Sequence, residues 1–266
     1  MQRRDFLASS LAASATLLTE PSFAAQTAPA EQPRQYYELR KYRLQTGPQV
    51  QLAANYASTA LIPALNRMGI APVGAFHLDI GPDTPALYLL LPCDHLDTLV
   101  NAKLRLRQDD AFLAAAAPFW NAPAANPAFV RVESTLLIAF EGWPQLTLPP
   151  STANKGKRIF QLRTYESPSM RDHVRKVQMF HAGEFEIFRK AGFWNVFFGD
   201  ALIGDRLPQL TYMLSYTDLT QMNELWAAFS SDPDWKKLQA RPEFSYEPIV
   251  SNISNLVLGP AEYSQI

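Results

Sequence analysis

Two segments of this 266-residue chain carry the same pair of chemically able side chains. The run Tyr37–Tyr42 (YELRKY) returns as Phe160–Tyr165 (FQLRTY), so Arg40 and Tyr42 recur as Arg163 and Tyr165, 123 positions later. A guanidinium is a planar fork of donors suited to a carboxylate or phosphate, and a phenol beside it can orient an oxyanion or enolate. Residues two apart in a strand share a face. Arg40 and Tyr42 therefore share one with Glu38, and Arg163 and Tyr165 share one with Gln161, while Leu39 and Leu162 point the other way. The leucines are expected under helices and the Arg/Tyr pairs in the space between two sheets, near a pseudo-twofold axis. The competing assignment is structural: each arginine pairs with a strand neighbour such as Glu38 or Glu133 and locks the fold, as charges removed from water require.

The same offset places His77 opposite Asp200. Both stand on the strand face opposite Ile80 and Ile203, and both are expected to look into the inter-sheet space. There they could form an acid–base couple or bind a ligand; a hydrogen-bonded structural histidine is the alternative. His173 and His181 lie eight apart on a helix, not at the i, i+4 spacing of a zinc helix. His181 and Glu184 read as a polar surface or inter-helix pair, and His95, beside Asp94, as a surface residue. Phe193, Trp194, Phe197 and Phe198, with Tyr212 and Tyr216, form an aromatic group that suits core packing or a ligand pocket. The sequence contains no Gly-rich phosphate loop, no nucleophile elbow and no clustered metal ligands. No metal or cofactor is assigned.

The elements that must hold these groups repeat as well. In the first half, strands are expected at Tyr36–Leu44, Val73–Ile80, Ala86–Leu91 and Arg131–Phe140. A helix is expected from Pro48 to Met68, stopped by Gly69, and a broken helix from Asp94 toward Ala117, with a loop from Pro118. In the second half, strands are expected at Ile159–Tyr165, Asn195–Ile203, Gln209–Tyr216 and Ile249–Leu258. Helices there run over Ser169–Lys190, Leu219–Phe229 and Pro233–Gln239. The order βαββαβ, taken twice, implies an α+β fold of two tandem ferredoxin-like domains, helices on one face of each sheet. The bare faces pack sheet-to-sheet, giving a pseudo-twofold α/β barrel.

Residues 36–141 and 158–266 are the repeats, and the Pro-rich segment 142–157 is the linker between them. Residues 1–24 resemble a twin-arginine signal peptide: Arg3 and Arg4, then Phe6 and Leu7, an apolar stretch, and small residues before Ala25. Residues 25–35 form a second linker. The expected location is the periplasm. Nearly half of the chain is hydrophobic (47%) and the formal net charge is −1, which supports a packed core and argues against nucleic acid as partner. The apolar stretch is too short to span a membrane. The single cysteine, Cys93, rules out an internal disulfide.

YELRxY-type heads, a Gly-terminated first helix and Ser231–Trp235 (SDPDW) late in the second half resemble the NIPSNAP family, of the dimeric α/β-barrel superfamily. The resemblance covers about Tyr36 to Ile266 and is stronger in the second repeat; the first has Asp109–Phe112 (DDAF) at the corresponding place. It implies the fold and names no catalytic residues. Two functions follow as expectations. One is a non-catalytic barrel protein binding a small molecule or a protein partner. The other is a cofactor-light monooxygenase or isomerase acting on a small aromatic or anionic substrate inside the barrel. A barrel cavity of about 300 Å³ or more with unpaired Arg40, Arg163, His77 and Asp200 would favour ligand binding or catalysis, and a filled interior with those residues cross-paired a structural role. Exposed sheet edges leave room for a homodimer.

Overall fold

Eight strands alternate with helices in the expected order. In the first repeat these are β1 (Tyr36–Arg43), β2 (Gly74–Ile80), β3 (Ala86–Cys93) and β4 (Arg131–Ala139). In the second they are β5 (Ile159–Glu166), β6 (Trp194–Ile203), β7 (Gln209–Tyr216) and β8 (Asn252–Pro260). Helix α1 (residues 48–67) follows β1, and α2 (Leu96–Leu106) with α3 (Asp110–Trp120) follows β3. In the second repeat α4 (residues 170–191) follows β5, and α5 (Leu219–Ser231) with α6 (Pro233–Gln239) follows β7. The computed structural model describes residues 33–266. The signal peptide assigned to residues 1–24, and the linker up to residue 32, lie outside the described residues.

Local chemistry accounts for the helix ends. The side chains of Asp109, Ser169 and Asp218 each accept a hydrogen bond from a backbone N–H three residues on, starting α3, α4 and α5. Such caps satisfy donors that the first turn leaves unpaired. Gly69 and Gly192 close the first helix of each repeat at φ 81° and 91°, a backbone conformation that costs glycine little. Both first helices contain a π-turn at equivalent places, Tyr56–Leu61 and Phe180–Glu184. Two expected boundaries move. Pro118 lies inside α3, near its end, where only one backbone bond is forfeited. The last strand starts at Asn252 rather than Ile249, whose side chain is buried under the helices.

All strand pairs are antiparallel. Each repeat has the order β4-β1-β3-β2 or its counterpart β8-β5-β7-β6, and the edges join as β2–β8 and β4–β6. The two facing sheets therefore form one closed eight-stranded barrel, in which each strand has a neighbour on both sides. Edges that a lone ferredoxin-like sheet would expose are consumed inside the chain.

Three cores result. One lies between sheet and helices in each repeat, and the third fills the barrel. The interior is aromatic and aliphatic: Tyr37 meets Phe197 at 5.0 Å between ring centroids, Phe76 meets Phe160 at 4.8 Å, and Leu90, Met213 and Leu258 are fully buried around them. Ring pairs that cross between the repeats tie the two halves beyond the strand hydrogen bonds. At one mouth a recess of about 220 Å³ remains between Leu39, Tyr88 and Leu162 and a charged rim of Lys41, Glu133, Asp205 and Arg206.

Candidate functional site

The strand alternation holds but its sense is opposite to expectation. Tyr37, Leu39, Phe160 and Leu162 face the barrel interior, whereas Tyr42 and Tyr165 belong to the two helix-covered cores. Arg40 and Arg163 lie on the same faces as those tyrosines. Arg40, Tyr42, Arg163 and Tyr165 therefore do not line the barrel, and the two pairs sit in separate compartments. Both faces of these strands are at least partly buried, so polarity could not distinguish them. His77 and Asp200 are also outside the barrel. His77 is solvent-exposed and lies 3.1 Å from Asp79 Oδ1. Asp200 accepts a 2.7 Å hydrogen bond from His173 Nε2 on α4. They do not meet. His181 is not paired with Glu184: its Nδ1–H donates to the Val177 carbonyl, so Nε2 is left to accept from Gly142 N–H.

The first repeat holds an open cleft between sheet and helices, with a volume of about 680 Å³. Its polar floor starts at Glu38, whose carboxylate accepts two hydrogen bonds from Arg40 (Nε 2.7 Å, Nη2 2.8 Å) and one from Ser134 Oγ (2.8 Å). The fork geometry is the strong form of such a pair. Burial alone would push the Glu38 carboxyl up; the Arg40 guanidinium, with the Ser134 hydroxyl and the more distant Lys103, outweighs it and holds the group below the usual range. Burial likewise opposes the Arg40 charge, but Glu38 and then Tyr42 reverse that and raise its affinity for the proton. Of the two partners left open for Arg40, Glu38 is the one it meets; Glu133 pairs with Lys41 and Arg43 instead.

Aromatic rings line the rest. Tyr56, from the α1 π-turn, stacks on Phe119 at 4.1 Å and 5°, and Phe119 stacks on Phe129 at 5.6 Å and 27°. Tyr42 stands edge-on to all three. The Tyr56 hydroxyl accepts from Trp120 Nε1 at 3.2 Å, and burial, then Tyr42, pushes its pKa up. Trp120, Phe129, Val130 and Val132 remain partly exposed at the rim, beside Lys103 and Arg131. A polar floor beneath an apolar wall is the usual constitution of a small-molecule site.

The second repeat fills the same place. Trp226 stands where the first repeat has Lys103, at the same offset of 123. Its ring centroid lies 4.5 Å from the Arg163 guanidinium, and its Nε1–H donates to Gln161 Oε1 at 2.7 Å. Tyr216, in the place of Cys93, donates to the same oxygen at 2.7 Å. Gln161 replaces Glu38, and Arg163 donates to the Tyr165 hydroxyl, which bonds Tyr212. Trp226 and Tyr216 thus converge on Gln161, whereas in the first repeat Lys103 lines an open cleft. Deeper still, Lys176 and Glu184 form a fully buried ion pair at 2.6 Å, where the first repeat has Ala53 and Leu61. The strand motif alone points to neither Lys103, Tyr56 nor Phe119; Lys103 was legible only by comparing the helices of the two repeats position by position. Among the described residues no group of three or more His, Cys, Asp or Glu side chains is placed to hold a metal, and no helix is long and apolar enough to cross a membrane.

No curated protein matches the chain. Among solved structures, a candidate monooxygenase from Lactobacillus acidophilus NCFM is similar with a TM-score of 0.56 at 9% identity, covering 85% of this chain and 94% of that one. A candidate monooxygenase from Fusobacterium nucleatum subsp. nucleatum gives 0.54 at 8%, covering 85% and 92%. At such identities the likeness is one of fold. A NIPSNAP-like domain protein from Burkholderia xenovorans is 20% identical, with a TM-score of 0.36, covering 40% of this chain and 88% of that one. The NIPSNAP family profile matches residues 37–140 and again 160–265. Those two stretches coincide with the halves of the barrel, each opening on its own β1-type strand, and together they span most of the sequence: this chain belongs to the NIPSNAP family.

Proposed function

We propose that this chain is an exported small-molecule-binding protein whose ligand occupies the helix–sheet cleft of the first repeat. The second repeat acts as the scaffold that closes the barrel. One observation carries this: the cleft of about 680 Å³ exists where Lys103 stands and is occupied where Trp226 stands. Duplication made the two places equivalent, so the difference belongs to the side chains. The test is Lys103→Trp, read by titration with the neutral fluorophore N-phenyl-1-naphthylamine. The wild-type protein is expected to bind it, and Lys103→Trp to weaken binding by about tenfold or more, since filling a pocket removes the ligand's contacts while adding packing. Equal binding by the variant, or none by the wild type, would overturn the proposal.

A reaction inside the barrel is disfavoured by the packed lumen and its recess of about 220 Å³. The fold likeness to candidate monooxygenases carries no chemistry by itself. A catalytic form of the proposal would use the same cleft, with Arg40 and Tyr56 as its polar groups. A homodimer would have to use helix or loop surfaces, because every described strand is paired on both sides.

Export rests on Arg3 and Arg4 ahead of the apolar stretch. Cell fractionation is expected to recover protein cleaved before Ala25 in the periplasm. Replacing both arginines with lysine should retain the uncleaved chain inside; a wild-type chain that stays uncleaved in the cytoplasm sinks the assignment.

A further inference from the structure

We propose that the cleft of the first repeat selects a planar aromatic anion; this rests on the binding function proposed above. Charge is the first argument. Among the described residues the only carboxylate lining the cleft, Glu38, is already held by both arms of the Arg40 fork. Two further cations line it, Lys103 and Arg131, and neither has a carboxylate within 4.0 Å among the described residues. The cleft therefore presents an excess of two positive charges over an apolar wall, where water is scarcer and a charge-assisted hydrogen bond counts for more.

The second repeat serves as an internal control. Strand register pairs Arg43 with Arg131, and Glu166 with Asn252. The counterpart of Arg131 is thus Asn252, as the counterpart of Lys103 is Trp226. Both cations are confined to the repeat whose cleft is open. If they served only to solvate the surface, they would have no reason to be absent together from the filled repeat.

Shape is the second argument. Tyr56, Phe119 and Phe129 form a continuous stack that ends at the cleft rim. The last ring, Phe129, keeps 36% of its surface exposed, and Trp120 and Val132 keep similar fractions beside it. A planar ring laid on Phe129 continues the stack, and its negative group then meets Lys103 and Arg131 at the rim. An aliphatic acid would gain the charge contact without the stacking, and a neutral arene the reverse.

The experiment compares four probes on the intact chain: 1-naphthoate, 1-naphthamide, 1-naphthylmethylammonium and cyclohexanecarboxylate, titrated calorimetrically against the wild type, Lys103→Gln and Lys103→Trp. The expected order is naphthoate tightest, with the amide and the aliphatic acid each about tenfold weaker and the ammonium weakest. Lys103→Gln should weaken naphthoate several-fold and leave the amide unchanged, and added salt should weaken both carboxylates but not the amide. If the amide or ammonium binds as tightly as naphthoate, and Lys103→Trp still abolishes binding, the anion preference is wrong and the cleft assignment stands. If the aliphatic acid binds as tightly as naphthoate, the aromatic requirement is wrong. If no probe binds, both the preference and the cleft assignment fall.

Discussion

Replacing Lys176 with methionine is expected to lower the unfolding free energy by about 3–5 kcal/mol, the range seen when one member of a buried ion pair is removed. Lys176 and Glu184 are 0% and 2% exposed. Burial already pushes the Glu184 carboxyl above its ordinary pKa, and Lys176, by charge and hydrogen bond, offsets only part of this. Without the ammonium the carboxyl must stay protonated to remain inside. The sign with pH follows. A carboxyl whose folded pKa is raised is fully compatible with the fold below its unfolded value, ordinarily 4.5, and costs stability as pH rises above that value. Urea unfolding should therefore show the gap between Lys176→Met and wild type widening from acid toward neutral pH. The first repeat suggests the repair, since Ala53 and Leu61 occupy the equivalent places. The double variant Lys176→Met/Glu184→Leu is expected to recover most of the loss. A single variant costing under about 1 kcal/mol, or a double variant as unstable as the single, would contradict this account of the pair.

Trp226→Lys should turn the second repeat into a copy of the first at its decisive position. The indole packs on Phe188, Phe193 and Phe229 at 4.9 to 5.9 Å between ring centroids, lies over Arg163 and donates to Gln161. Removing a buried large aromatic side chain costs about 3–5 kcal/mol. The ring is partly exposed and the lysine stem can cover some of the same surface, which places the expected loss near the lower end. The functional consequence is larger than the energetic one. A second cleft opens, and native mass spectrometry should show two bound probe molecules per chain where the wild type binds one. Unchanged stoichiometry with a full stability loss would mean that the second repeat collapses onto the space, and that the lysine is not what keeps the first cleft open.

Much of the fold was legible because duplication wrote it twice. The repeated YELRxY-type head and the glycines ending both first helices are local signals, and local backbone geometry enforces them; the caps Asp109, Ser169 and Asp218 emerge from the structure. The face of β1 and β5 was not legible. Sorting by polarity works when one face of a strand meets water; here Leu39 enters a lumen and Arg40 a helix–sheet layer, and both are removed from solvent. His77 and Asp200 were misplaced because the lumen was assigned to the wrong face of their strands: each lies on the outer face, where His77 meets water and Asp200 meets His173.

The sequence by itself determined the two-repeat architecture, the element order and the family, because those depend on periodicity and turn chemistry spread over many residues. Tertiary structure decided which repeat is open. That outcome turns on one helix position, Lys103 against Trp226, and on whether the side chain there reaches across to the strand residue, Glu38 or Gln161. Packing is a short-range, all-or-none matter of volume: an indole fills the space and a lysine, turning to solvent, leaves it open.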